Sequence, residues 1–361
     1  MTDAVDLTRA LIALDTAGAG EEVAARLLGD LLAAAGARVE YDLFAPGRTS
    51  LVAHAGDTGD GPLVLSGHLD TVPADAGTWS RDPLDPQVAD GTLFGRGASD
   101  MKSGVAALVV ALERHLRQGS LPRGVLLVLS AAEETGCEGV QHLVDHRSLP
   151  RGGPLLVAEP TGNRVATGHK GALWLHATAT GVAAHGSRPD LGRSAITSLA
   201  RLAVSLADSG IPGTHPVMGA TTVNVGTFTC DGQTNLVPDS AEATIDIRLV
   251  PGATSEASLA YVRAIAGPHV RMEVILDRAP VYSPPDAPFA SLVTAIAGGQ
   301  TRPPLTYFTD ASILAEALGC GETVFLGPGD AESAHTVDES CPVDRIRDAA
   351  SMYEQVLSDW R

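Results

Sequence analysis

The chain has 361 residues, 44% of them hydrophobic and 19% charged, with 25 basic against 43 acidic side chains and a formal net charge of −18. At roughly 150 residues per domain, this length suggests about two domains with enough apolar chain for a sizeable core, and excludes a disordered protein. A surface this acidic repels phosphate backbones and anionic lipid headgroups, so neither nucleic acid nor membrane is an expected partner.

The opening residues Met1-Thr2-Asp3-Ala4-Val5-Asp6 carry no basic region and no apolar run, so no secretory signal is expected there. Residues 4–17 and 21–35 then show apolar side chains at helical spacing, with Gly36 where a helix C-cap would fall. Short strands are expected at 39–43 and 51–54, and a buried strand at 63–65 runs directly into Ser66-Gly67-His68-Leu69-Asp70. Residues 103–117 form a helix pattern, 125–129 a buried strand ending at Glu133-Glu134, and 155–157 another ending at Glu159-Pro160. The apolar stretches at 105–112 and 125–129 are far short of a membrane span. Strands alternating with helices imply a mostly parallel sheet with helices on both faces, in which ligands gather at the carboxyl ends of the strands.

After about residue 168 the texture becomes α+β, with alternation at 172–180, 221–228 and 242–249, a helix at 194–209 and a short strand at 274–276. The first pattern resumes from Pro284 through 290–297, 312–318 and 323–326 to a last helix near 345–360. The expected organisation is an α/β catalytic domain, 1–168 and 282–361, interrupted by a smaller α+β domain, 169–281. Cys137, Cys230, Cys320 and Cys341 show no C-x-x-C spacing, which fits a reducing cytoplasm and argues against a disulfide framework or a cysteine zinc site. Lysine occurs only at Lys102 and Lys170, both in motif-like segments.

Polar residues at the strand ends carry the chemistry. His68 reads as a satisfied core imidazole or as a metal ligand, with Asp70 placed to fix its tautomer. Asp100 lies ahead of a helix in Gly95-Arg96-Gly97-Ala98-Ser99-Asp100-Met101-Lys102-Ser103-Gly104, which is no phosphate loop because Arg96 and Met101 stand where glycine is needed. It is a helix N-cap or a carboxylate able to bridge two ions. Glu133 and Glu134 point to opposite sides if extended, so one could bind metal while the other takes a proton from bound water. Glu159 ends its strand, and His335 lies in the glycine-rich loop Gly327-Pro328-Gly329-Asp330-Ala331-Glu332-Ser333-Ala334-His335. Carboxylates and imidazoles without thiolate suit Zn²⁺, Co²⁺ or Mn²⁺ in a hydrolytic centre better than a structural zinc.

The segments Ser66-Gly67-His68-Leu69-Asp70-Thr71-Val72-Pro73, Gly97-Ala98-Ser99-Asp100-Met101-Lys102, Glu133-Glu134-Thr135-Gly136, Glu159-Pro160-Thr161 and Ala334-His335-Thr336-Val337-Asp338-Glu339 resemble, in order and over nearly the whole chain, those of a known family. It is the dinuclear zinc metallopeptidase family of acetylornithine deacetylase, succinyl-diaminopimelate desuccinylase, aminoacylase and glutamate carboxypeptidase. The resemblance implies that His68, Asp100 and Glu159 hold one metal and Asp100, Glu134 and His335 the other, with Asp100 bridging, Asp70 orienting His68 and Glu133 as general base. It implies a homodimer in which the inserted domain is the lid and dimerisation domain, and His185 of the partner subunit reaches the reacting carbonyl. Asn235 and Arg248 match positions near a substrate carboxylate, whereas His169 and His176 read as structural. The expected reaction is hydrolysis of an N-acyl amino acid, acetylornithine deacetylase-like first, with succinyl-diaminopimelate desuccinylase or a dipeptidase or carboxypeptidase as alternatives. A catalytically silent binding relative is the alternative of another class. The aromatics of Tyr307-Phe308-Thr309-Asp310-Ala311-Ser312 either narrow the pocket or pack the domain junction.

Overall fold

The computed structural model describes residues 2–59, 61–119, 121 and 123–360. The chain forms two compact units, the first from Met1–Gly168, Tyr282–Pro303 and Thr309–Arg361, the second from His169–Val281 and Pro304–Phe308. The return of Pro304–Phe308 to the second unit has no signature in the hydrophobic pattern.

The first unit is built on a sheet of six strands in the order Arg38–Ala45, Arg48–Ala55, Val125–Ser130, Leu63–His68, Leu155–Val157, Thr323–Phe325. The last four run parallel and the first two pair antiparallel, so the sheet is mostly parallel. Its central strands are continuous apolar runs because both faces are covered. Leu51, Ala53, Leu63, Leu65, Val125 and Leu127 share one core with the helices Ala4–Ile12, Glu21–Ala35, Lys102–Gln118 and Val343–Asp359. The alternate residues Val52, Val64, Leu126 and Val128 are equally buried on the other side, where Glu138–His146 packs on the Arg48–Ala55 strand and Ala311–Ala317 on Leu155–Val157. No helix among the described residues is long and apolar enough to cross a membrane.

Local chemistry sets the element ends. Asp3 caps the first helix by accepting from the Val5 and Asp6 amides. That helix stops at Ile12, not at residue 17 as its periodicity suggests, because Asp15 accepts from the Ala17 amide at 3.1 Å and turns the chain. Gly36 closes the second helix in the left-handed region at φ 108°, as its position predicts. Lys102 is buried, its pKa lowered to about 8 by burial, and its Nζ donates to the Leu14 carbonyl at 2.9 Å. The helices Glu138–His146 and Ser255–Ala266, and a small sheet of Gln87–Ala89, Thr92–Phe94 and Ser340–Pro342, are additions to the elements read from sequence.

The second unit holds a four-stranded antiparallel sheet, in the order Thr222–Thr229, Ser240–Leu249, Gly171–Thr180, Val270–Arg278. Leu173, Leu175, Ala177 and Ala179 face a core shared with the helix Ala195–Ser209, and the alternating Trp174 and His176 face away from it. His176 pairs there with Glu242 at 3.3 Å, and Lys170 donates to the Ala220 carbonyl at 2.7 Å.

The helix Lys102–Gln118 approaches the end of the Leu155–Val157 strand so closely that a Cβ on Gly104 would press on the Ala158 carbonyl oxygen. Alanine in a helix interior gains up to about 1 kcal/mol over glycine, but overpacking against fixed backbone costs about 1–3 kcal/mol. Gly104→Ala is therefore expected to lower the urea midpoint of the metal-free protein with an unchanged slope; a raised midpoint would show that the helix and strand separate at no cost.

Candidate metal centre

The parallel register places the ligand candidates of the first unit at one edge of the sheet. His68 pairs with Ser130, and Ser66 with Val157, so residues just beyond these strands, Glu133, Glu134 and Glu159, rise beside His68. His68 Nδ1 bonds to the main-chain oxygen of Asp70 at 3.0 Å, which puts its proton on Nδ1 and leaves Nε2 to face Asp100 Oδ1 at 3.0 Å. The other Asp100 oxygen, Oδ2, lies 3.5 Å from His335 Nε2, which is itself 2.9 Å from Glu134 Oε1. Each oxygen of one carboxylate thus faces a different imidazole. Ligand atoms of His68, Asp100 and Glu134 all lie within 4.8 Å of one another.

Asp70 contacts both His68 and the turn behind it. The carboxylate is 3.6 Å from His68 Nδ1, and its two oxygens instead accept the amides of Glu133 and Glu134, each at 3.1 Å. It holds the Glu133-Glu134 turn, while its carbonyl holds the imidazole. Backbone strain collects here: Ala132 at φ 58° and His335 at φ 63° are non-glycine residues in the left-handed region, on both sides of the cluster.

The electrostatics are those of carboxylates short of positive charge. Burial, then the nearby carboxylates of Glu159, Glu134 and Asp310, raise the pKa of Glu133 well above its ordinary value despite the opposing His68. Glu159 is raised in the same way, by burial and then by Asp100. Burial disfavours the His68 imidazolium, but the hydrogen bond and charge of Asp100 outweigh it and raise that pKa well above the usual histidine range. An imidazole nitrogen and a carboxylate oxygen 3.0 Å apart must share a proton or a cation. The donor set, oxygen and nitrogen at two imidazole–carboxylate pairs, one buried at His68 and one half-exposed at His335, therefore fits divalent metal. Glu159 lies outside the tight group of His68, Asp100 and Glu134 and reaches it through this field.

Two buried acids at this edge escape a reading of the sequence. Asp310 accepts from the Ser130 hydroxyl, and burial raises its pKa to about 6. Its only signal is an acid directly ahead of a helix, two residues after Tyr307-Phe308. Glu339, fully buried, follows His335 by four residues.

His185, Asn235 and Arg248 belong to the second unit. His185 and Asn235 lie together, with Gly186 donating to the Asn235 carbonyl at 2.7 Å and His185 paired with Leu236. His185 Nδ1 accepts the Ser187 amide at 3.2 Å, which leaves the neutral imidazole with its proton on Nε2. Arg248 bonds through Nε and Nη2 to Asp246, at 3.2 and 3.1 Å, and its guanidinium lies 6.0 Å from the Trp174 ring and 5.7 Å from that of Phe308. Phe308 thus packs with Trp174, ring centroids 5.9 Å apart, within the second unit.

An oxygen- and nitrogen-ligand cluster at the carboxyl edge of a doubly covered α/β sheet is the kind of site a metal-dependent hydrolase uses. The chain belongs to peptidase family M20/M25/M40, whose pattern it matches over residues 64–359. It is 30% identical to the succinyl-diaminopimelate desuccinylase of Paracoccus denitrificans, covering 98% of this chain and 97% of that one. Among solved structures it is similar to the M20 family metallo-carboxypeptidase Sso-CP2 of Sulfolobus solfataricus, with TM-score 0.80, 18% identity and 99% of both chains covered. It is similar also to the YXEP protein of Bacillus subtilis, described as a dinuclear metal-binding peptidase, with TM-score 0.73, 14% identity, and coverage of 98% of this chain and 96% of that one. The chain is an enzyme, and the cluster can hold metal.

Metal bound only by the folded state stabilises it by about 2.7 kcal/mol at one hundred times its dissociation constant. Chelation is expected to lower the melting temperature of the metal-loaded protein, and Asp100→Ala to abolish the dependence on added Zn²⁺; an Asp100→Ala protein that still gains stability with Zn²⁺ would place the metal elsewhere.

Proposed function

We propose that the enzyme hydrolyses the amide bond of an N-acyl amino acid bearing a free carboxylate, with two divalent ions, zinc first among the candidates. The observation that carries this reading is Asp100, whose two oxygens face His68 and His335 separately, with Glu133 buried at the same edge. In this reading His68, Asp100 and Glu159 hold one ion, and Asp100, Glu134 and His335 the other. When bound, the ions supply Lewis acidity toward the amide carbonyl and lower the pKa of water.

Glu133 accepts the proton of the attacking water at its carboxylate and returns it to the departing amine nitrogen. Its main chain is fixed for this by Asp70. The sequence resemblance assigns hydrogen-bond donation to the carbonyl oxygen to His185 of the partner subunit, and the Nε2 proton left by the Ser187 contact supports that role. Asp246 engages the Nε and Nη2 side of Arg248, so a substrate carboxylate would meet Nη1.

Deacetylation of acetylornithine, the first activity expected from the sequence, draws no specific support from the relatives reported above. The Paracoccus relative is named for removal of a succinyl group, whose free carboxylate suits an arginine, and this favours an N-succinyl amino acid over an N-acetyl one. A hydrolysis panel with Zn²⁺ or Co²⁺, covering N-succinyl-diaminopimelate, N-acetylornithine, other N-acyl amino acids and dipeptides, tests this directly. Turnover confined to dipeptides would overturn the acyl amino acid reading. Glu133→Gln is expected to retain metal and lose about 10²–10⁴-fold in kcat; near-normal turnover of the metal-loaded variant would remove Glu133 as the base.

A further inference from the structure

Glu339 is a fully buried carboxylate at the end of the loop that carries His335. Its Oε1 accepts the amides of Ser99 and Asp100, at 2.8 and 2.9 Å. Its Oε2 accepts the Gly97 amide at 3.1 Å and Arg96 Nη1 at 2.6 Å. Every donor it receives lies in the turn that presents Asp100. Its own main-chain oxygen accepts the Gly95 amide at 3.0 Å, at the start of the same turn. Arg96 in turn donates to the carbonyl of Thr336, the residue after His335, at 3.4 Å, and lies 5.0 Å from the face of Trp79.

A buried carboxylate needs hydrogen-bond donors and opposite charge, and here three backbone amides and one guanidinium supply them. The compensation is also geometric. Backbone amides directed at one anion fix the path of the turn that makes them, in the manner of an anion nest. The Asp100 side chain leaves that turn with its two oxygens aimed at different imidazoles, and such a placement tolerates only about 0.5 Å of error. The segments bearing Asp100 and His335 are more than two hundred residues apart in sequence, and the Glu339–Arg96 pair touches both.

We infer that Glu339 is a positioning residue of the metal centre: it sets the Asp100 turn against the His335 loop so that one carboxylate can serve both ligand groups. The inference rests on the reading of Asp100 as a shared ligand. Glutamine at this position keeps the volume and one oxygen, but turns an NH₂ group toward donors. Partners of this kind behind metal ligands are worth about 10–100-fold in metal affinity.

The test is titration of Co²⁺ into metal-free wild-type, Glu339→Gln and Asp100→Ala proteins, followed by visible absorption, with circular dichroism of each before metal is added. Glu339→Gln is expected to weaken Co²⁺ binding by about 10–100-fold and to change the shape of the visible band, with unchanged circular dichroism. Wild-type affinity and band shape in Glu339→Gln, beside a loss in Asp100→Ala, would overturn the role of Glu339 alone. Wild-type behaviour in Asp100→Ala would instead remove Asp100 as a ligand and the shared-ligand reading with it. A lowered melting temperature with an unchanged band would make Glu339 merely structural and also overturn the inference. If Glu339→Gln does not fold, Arg96→Gln removes only the cationic partner, and the same band change in smaller measure is expected; an unchanged band there counts against the inference.

Discussion

Negative charge gathered out of water is the constraint on which the first unit turns. Asp100, Glu134, Glu133, Glu159 and Asp310 interact at the carboxyl edge of the sheet with His68 and His335 as the facing bases. Two like charges 4 Å apart repel by about 4 kcal/mol at the effective dielectric of a protein near its surface, and several such pairs would exceed the margin by which a domain is folded. Protons can relieve part of this, which is why the carboxyl groups of Glu133 and Glu159 hold theirs so strongly. A divalent cation adds an attraction to each acid that can outweigh the repulsion among them. The site is best regarded as an arrangement completed by metal, with its acids placed by the fold against their own repulsion.

Placement against repulsion needs rigid supports, and the sheet supplies them. Parallel strands bring their carboxyl ends to one edge, so His68, the Glu133-Glu134 turn and Glu159 arrive together although they are distant in sequence. The covering of both faces makes these strands nearly incompressible. Close approaches tie the turns down further: the Gly104 helix meets the Ala158 carbonyl, and Gly329 meets the Ser99 carbonyl, each in a space that excludes a side chain.

The same physics separates what the sequence discloses from what it conceals. Buried strands such as 125–129 are legible because a run of apolar residues has few other uses, and polar residues at their ends stand out against that background. His68 and Glu134 stand out in this way, Asp100 stands out as an acid ahead of an apolar helix, and the structure brings the three together. Asp310 and Glu339 are not, because an acid in a polar loop looks solvated until residues hundreds of positions away bury it. The division of labour within Asp70, carbonyl to His68 and carboxylate to the Glu133-Glu134 amides, is a matter of ångströms that no spacing encodes. The helix Glu138–His146 hides for a different reason: it is short, only three of its residues are buried, and it opens from Cys137 in a left-handed conformation with no side-chain cap.

Carboxylates that grip backbone amides recur through the first unit. Asp70 takes two amides at the Glu133-Glu134 turn, Glu339 three around Asp100, and Glu322 those of Phe289 and Ala290 at the start of the helix Pro288–Ile296. An ionised acceptor makes roughly twice as strong a bond as a neutral one, so an acid is the effective choice where a turn must be held firmly. Part of the formal charge of −18 therefore lies inside the molecule, in the acid cluster and in the carboxylates that clamp the turns around it. Net charge then says little about which substrate the enzyme accepts. What a substrate meets is the local field, and any bound metal acts there at closer range than an acidic surface screened beyond about 8–10 Å by physiological salt.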